Sequence, residues 1–360
     1  MPLGSSPRTL SRLGVDGSHM LTIDGSNGGG QLLRTGLALA VRTDTPLRFE
    51  SIRGSRPDPG LRPQHLAAVE LLADYCDADL EGARLDSETL VFEPGESRTQ
   101  TLSADIPTAG SATLLLDAVL PLATAIDAPL TVTATGGTDV KWSPPVAYVR
   151  HVKLPLLARF GLDAALERSS VGYYPAGGGE VTFRLSPSSL SPIELDERGS
   201  LAAVDVYSKA STDLEDSDVA DRQADRASDR LDAADVPLGE RAVEYVETDS
   251  TGSSITVRAR YDRTLAGFDA LGEPGRPSET VADMAVDDFE RFHGTRAAVD
   301  RHMADQLLVF LALAGGRIAI PEATDHVRTH RSLLAEFGYD VSLESEGGTV
   351  TLTSSGDSAD

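Results

Sequence analysis

The sequence predicts an α+β fold built from repeats, in which helix pairs alternate with short strands along the chain. Three observations carry this. Apolar residues recur at helical spacing in several separate segments. Short runs rich in β-branched residues lie between or after them. Glycine-bearing turns precede most of the helical segments, and each unit is too small to fold alone, so neighbours must stack.

Taken in order, Leu21-Thr22-Ile23-Asp24 reads as a strand leading into Gly28-Gly29-Gly30 and a helix from Gln31 to Val41. A second helix, Pro63 to Tyr75, carries Leu66, Val69, Leu71, Leu72 and Tyr75, consistent with one buried face. The unit recurs at Thr108-Ala109-Gly110-Ser111 before an apolar helix to Leu122, and again at Pro145 to Phe160 after Gly136-Gly137-Thr138-Asp139. A fourth candidate helix, Thr295 to Ala314, precedes a helix opened by His326. Strands are expected at Leu90–Phe92, Leu130–Ala134, Glu180–Leu185 and Thr349–Thr353.

Residues 188–294 break this rhythm. A Pro/Ser-rich linker (Ser186 to Pro192) opens into strands at 203–207, 242–247 and 254–261, around a very acidic helix at about Asp213–Leu231. Ser278 reads as the N-cap of a helix with Val281, Met284, Ala285, Phe289 and Phe292 on one face. This is a smaller inserted α/β domain, leaving 21–187 and 295–355 as one discontinuous catalytic repeat domain. Residues 1–20 read as an extension or tag: Gly17-Ser18-His19-Met20 resembles an expression-vector scar, with Met20 a candidate natural start.

Composition narrows the function. Asp and Glu number 56 against 32 Lys and Arg, a formal charge of −24, and Lys141, Lys153 and Lys209 are the only lysines. An acidic, lysine-poor surface with 40% hydrophobic residues is a halophile-like pattern. At roughly 1 M salt the Debye length is about 3 Å, so its self-repulsion is largely screened. The charge argues against broad nucleic-acid binding, which needs a basic face, and leaves room for an RNA end in a local arginine pocket. Cys76 is the only cysteine, which excludes an intrachain disulfide framework. With no apolar run of roughly 18 residues and no signal-peptide core, a cytoplasmic protein without membrane contact is expected.

Elimination then removes the lysine-based nucleotide chemistries. No lysine follows a glycine, so the P-loop is absent, and none precedes an Asp-Gly pair as in lysine-adenylate ligases. The Gly25–Gly30 stretch does not form the dinucleotide fingerprint. What remains is a glycine run, clustered arginines and histidines. The run Asp24 to Arg34 is a strand, a glycine turn and a helix N-terminus, able to cradle an anion on backbone N–H groups, or to be no more than a tight turn. Ile52 to His65 adds Arg53, Arg56 and Arg62 in a proline-stiffened loop, planar donors suited to phosphate oxygens. His326 stands at an expected strand-to-helix junction, where a nucleophile is exposed but oriented.

These two segments, with Asp105-Ile106-Pro107-Thr108-Ala109-Gly110-Ser111, Gly136–Asp139 with Pro144-Pro145, Tyr173–Gly179 and His302–Leu307, resemble the RNA 3′-terminal phosphate cyclases in order from about residue 21 to 350. The resemblance implies repeated units of two helices on a four-stranded sheet, plus a small inserted α/β domain. It implies ATP-dependent conversion of an RNA 3′-phosphate to a 2′,3′-cyclic phosphate, through a covalent histidine–AMP and an RNA adenylate. His326 matches the nucleophile. Arg34, Arg53, Arg56 and Gln64 match positions holding phosphates and the RNA end. Gly28, Gly29, Gly30, Gln31, Pro144, Tyr148, His302, Asp305 and Gln306 match the nucleotide site. The implied partners are ATP, a divalent metal (Mg or Mn) and RNA with a 3′-phosphate end, with a homodimer as a further candidate.

Two departures bear on the metal. The family's Gly-Glu before the triple glycine is missing, since Asn27 runs straight into Gly28, and Asp117 stands where the family often has glutamine. The metal ligands are therefore unknown, with Asp24 or water as substitutes. His326 and His330, four residues apart on a helix, lack an evident third ligand. His302 is expected to stack, and His65 to cap or pack. Two rival readings fit the sequence less well. Non-catalytic relatives that bind RNA in ribosomal RNA maturation lack the histidine that His326 retains. Enolpyruvyl transferases, of related repeat architecture, need active-site lysines that positions 141, 153 and 209 fit poorly.

Overall fold

The computed structural model describes residues 20–357, so the 1–20 extension lies outside the described residues apart from Met20. The first unit runs β1 (Leu21–Asp24), α1 (Gly30–Thr43), β2 (Leu47–Glu50), α2 (Pro63–Cys76), β3 (Asp79–Glu81) and β4 (Leu90–Glu93). Its sheet is ordered β1-β2-β4-β3, with β1 parallel to β2 and the remaining pairs antiparallel. The second repeats it: β5 (Thr101–Asp105), α3 (Thr113–Val119), β6 (Leu130–Gly136), α4 (Val146–Tyr148), α5 (Leu154–Ala158), β7 (Ala164–Ser170) and β8 (Gly179–Leu185), ordered β5-β6-β8-β7. A π turn at Val149–Lys153 joins α4 to α5, so the expected helix over 145–160 is interrupted rather than continuous.

β9 (Ile193–Leu195) opens a third copy, which the insert then interrupts. The insert comprises β10 (Leu201–Ser211), α6 (Val219–Ala233), β11 (Leu238–Val246), β12 (Ser253–Tyr261), β13 (Leu265–Leu271) and α7 (Ser278–His293), its sheet ordered β11-β10-β12-β13. The chain returns through α8 (Arg301–Gln306), α9 (Leu308–Ala314), β14 (Gly316–Ile320), α10 (Asp325–Glu336), β15 (Val341–Glu346) and β16 (Thr349–Ser354). β9 falls within 188–294, yet it pairs parallel with β14 through Gly316 and Ile193, completing the sheet β15-β16-β14-β9. Three copies of one β-α-β-α-β-β pattern thus surround a shared core, while α6 and α7 pack on the insert sheet to form a second core.

Several element boundaries moved for local reasons. The helix expected from Thr295 starts at Arg301, because the Asp300 carboxylate caps it by accepting the His302 and Met303 N–H groups at 3.0 and 2.8 Å. Ser278 is the first residue of α7; Pro277 precedes it and no side chain caps that helix. The acidic helix begins at Val219 after a 3₁₀ turn over Thr212–Ser217. Its arginines at 222, 226 and 230 pair across to Glu279, Asp283, Asp287 and Glu290 on α7. Such surface pairs are worth little singly, but they leave the face ion-paired rather than simply solvated. β13 had no reading as a strand, since Gly267 and Asp269 interrupt its apolar run.

Candidate active site

One cavity of about 510 Å³ opens where α1, α3, α8 and α10 converge with the 142–144 loop and β13 of the insert. At one end lies His326, the second residue of α10, whose N-cap Thr324 accepts the Val327 N–H at 3.2 Å. Gln31, on the first turn of α1, brackets it. Its Nε2 donates to the His326 carbonyl at 3.0 Å, and that bond turns its Oε1 toward the imidazole Nδ1, which it contacts. An amide oxygen only accepts, so Nδ1 carries the proton and the Nε2 lone pair is free.

Anion-binding groups surround this ring. Gly29 caps α1 with no side-chain bond to the helix N–H groups, and the chain is close-packed there. A Cβ on Gly29 would lie 3.7 Å from His326 Cε1 and 3.9 Å from the Arg56 guanidinium. On Gly30 it would meet His65 Nε2 at 2.3 Å, so only glycine fits. Gly28 turns the chain through its N–H to the Gly25 carbonyl. Arg56 is exposed and its guanidinium makes no hydrogen bond or ion pair among the described residues. Arg34 is 7% exposed, lies 3.9 Å from Asp117, and keeps an unpartnered buried Nε. A helix N-terminus and two guanidiniums are groups able to hold an anion. Burial first, then Arg56, pushes the His326 pKa below its ordinary value, keeping the ring neutral.

Arg53 and Gln64 serve this end from outside the cavity lining. Arg53, at φ 55°, donates to the Asp58 and Gly60 carbonyls at 2.9 and 3.1 Å, bracing its own loop. The loop is sewn to the glycine turn through Arg53 N–H to Gly25 and Ser55 N–H to Ser26. Gln64 Oε1 accepts the Ser111 N–H at 3.2 Å, tying α2 to the Thr108–Ser111 segment. His65 Nδ1 accepts the Arg62 N–H, and burial with Arg34 nearby lowers its pKa to about 3: it packs and caps.

The same cavity is also lined from α4, α8 and the 142–144 loop. Tyr148 is fully buried, and its hydroxyl donates to Asp300, which also accepts the Gly267 N–H of β13 at 3.0 Å. Pro144, His302 and Gln306 line the same cavity, the last with an unpartnered Oε1. Asp305 lies 4.0 Å from His326 Nδ1, its pKa raised to about 6 by burial and then by Asp117. His330 is 3% exposed against the Asp305 backbone carbonyl, and neither ring nitrogen has a well-aligned partner. Burial lowers its pKa to about 4, so it is neutral filling rather than an acid.

Sequence reasoning missed Lys153, Arg301, Trp142 and Asp269. Lys153 is 2% exposed and pairs with Asp117 at the cavity wall, visible in the sequence only as an amphipathic lysine. Trp142, the single tryptophan, sits 96% exposed on the rim at φ 63°, its loop tied to the insert by Lys141–Glu273 at 2.5 Å. The divalent ion fits less well. Asp24 is engaged with Ser26, Asp117 with Lys153 and Arg34, and among the described residues no three His, Cys, Asp or Glu side chains converge. No helix among the described residues is long and apolar enough to cross a membrane.

The sequence family described as RNA 3′-terminal phosphate cyclase matches residues 26–341. A protein of that name from Halobacterium salinarum is 43% identical over 346 residues, covering 93% of this chain and all of its own length (100%). Like-named proteins from Thermococcus onnurineus and Methanopyrus kandleri are 42% and 40% identical, over 88% and 91% of this chain and 93% and 96% of theirs. A solved enolpyruvyl transferase, NikO from Streptomyces tendae, matches 47% of this chain and 34% of its own at 14% identity and a TM-score of 0.27, too low to argue from. By sequence match across its length, the chain belongs to the RNA 3′-terminal phosphate cyclase family.

Proposed function

We propose that this chain uses ATP to convert an RNA 3′-phosphate end into a 2′,3′-cyclic phosphate, with His326 as the covalent carrier. The observation that supports it most is the Gln31 bracket, which leaves His326 Nε2 unprotonated beside the α1 N-terminus and Arg56. In the first step Nε2 attacks the ATP α-phosphorus, an N–P bond forms and pyrophosphate leaves. A 3′-phosphate oxygen of the RNA then attacks that phosphorus, the N–P bond breaks and the imidazole is restored. Finally the 2′-oxygen attacks the adenylated 3′-phosphorus, the 2′-OH proton is released and AMP departs. Arg34 and Arg56 stabilise the charge that develops in each transfer. Tyr148, Pro144 and His302 accommodate the base, and the 188–294 segment contributes β13 to that slot.

We also assign the protein to the cytoplasm of a halophilic, archaeal cell, on its acidic, lysine-poor composition. The test is incubation at high salt with a divalent ion and ATP labelled in its α-phosphate. Covalent label is expected on the wild-type chain, with none on His326→Ala. Label that survives the substitution would move the nucleophile elsewhere. A wild-type chain that takes no label while still binding 3′-phosphate RNA would favour the non-catalytic, RNA-binding reading.

A further inference from the structure

Asp269 is a carboxyl in the proposed base slot for which the chemistry above has no use. It comes from the insert, not from the repeats that carry the nucleophile. Strand periodicity places Gly267 and Asp269 on one face of β13. The Gly267 end of that face is pressed onto Tyr148, where an added Cβ would meet the ring at 2.5 Å, and the Gly267 N–H is held by Asp300. Two residues on, the Asp269 carboxyl lines the cavity with Tyr148, Pro144 and His302. It is enclosed by protein yet keeps part of its surface open to the cavity. Among the described residues its side chain makes no hydrogen bond and no ion pair. An enclosed, unpartnered polar group facing a cavity is a group reserved for a ligand.

Resting on the ATP reading above, we propose that Asp269 hydrogen-bonds the edge of the nucleobase, and that its ionisation turns the site from adenine toward guanine. A neutral carboxylic acid presents one O–H donor and one carbonyl acceptor side by side. Adenine offers the complement, an acceptor at N1 and a donor at the exocyclic amine, and guanine offers it too, an acceptor at O6 and a donor at N1. An ionised carboxylate only accepts, which suits the N1 and N2 donors of guanine and leaves adenine N1 without a partner. Loss of the proton therefore removes the fit to adenine alone.

The surroundings hold Asp269 in the neutral form. Burial raises its pKa well above the carboxylate range, His302 on α8 opposes this, and Asp300, Asp139 and Asp288 reinforce it. Tyr148 stays protonated, Lys153 is committed to Asp117, and Thr256, opposite Asp269 on β12, carries no charge. The net effect is an acid that ionises nearer neutrality than an ordinary aspartate.

The test is calorimetric binding of ATP and of GTP to the intact chain at high salt, for wild type, Asp269→Asn and Asp269→Leu. The ATP:GTP affinity ratio cancels effects on the phosphates, which both ligands share. The wild-type ratio should fall as the pH is raised through neutrality. Asp269→Asn, whose amide also has one donor and one acceptor but does not ionise, should keep the low-pH ratio at every pH. Asp269→Leu should weaken ATP binding about tenfold below neutrality, the effect of one or two neutral hydrogen bonds. An ATP affinity unchanged in Asp269→Leu, or a ratio that titrates in Asp269→Asn as in wild type, would overturn this inference alone. A wild-type chain that binds neither nucleotide would overturn it together with the ATP reading.

Discussion

The surroundings of His326 and of Tyr148 are built by different means. Those of His326, the proposed phosphate end, come from contiguous motifs: a glycine turn running into α1, an arginine loop sewn onto that turn, and the start of α10. Those of Tyr148, the proposed base end, come from single residues on distant elements, with Asp300 accepting from Tyr148 of α4, Gly267 of β13 and the first turn of α8. An anion needs only N–H groups and guanidiniums at a helix start, which local backbone conformation supplies. A flat base needs walls on several sides, which only packing between units supplies.

If this contrast holds, damage to the base end should be felt in stability as well as binding. Asp300→Ala leaves the Tyr148 hydroxyl and the Gly267 and α8 N–H groups without their buried acceptor, at about 3 kcal/mol. Urea unfolding at high salt measures it, and an unchanged midpoint would deny Asp300 its joining role. At the phosphate end a change should instead spare the fold. Gln31→Leu removes the acceptor that holds the proton on His326 Nδ1. About a tenfold drop in the rate of covalent labelling is expected, with the unfolding midpoint little moved. A loss of stability without a loss of rate would reverse the assignment.

The smallest effect concerns pH. His326 has a folded pKa below its ordinary value of about 6.5, and in the proposed mechanism its neutral form reacts. Labelling should therefore be level through neutrality and be lost only as the pH falls through that lowered value. Arg56→Gln should move the inflection toward higher pH, because Arg56 is the first-ranked charge after burial that disfavours the imidazolium. An inflection that does not move would place Arg56 away from the ring.

The uneven legibility of the site follows from the same contrast. Arg34, Arg56 and His326 stood out because each lies in a short segment whose composition is unusual for so acidic a chain. Arg53 and Gln64 came from the same segment, yet they brace loops, since a side chain's direction depends on partners such as Gly60 and Ser111. Asp300 carried a readable N-cap signal before Arg301-His302, obscured because the helix was expected to begin at Thr295. Asp269 looked like a polar interruption in an apolar run, and nothing nearby in sequence says that the run is a strand beside Tyr148.

The sequence by itself determined the α+β class and the family, and it singled out the glycine turn, the arginine loop and His326. These rest on periodicity, glycine turns and local composition, which act over a few residues. Tertiary structure alone decided which ring nitrogen of His326 faces Gln31, where Lys153 and Asp117 meet, and that the insert places a carboxyl in the cavity. Each of these depends on groups far apart in the chain, brought together only when the three repeats and the insert bury their surfaces against one another.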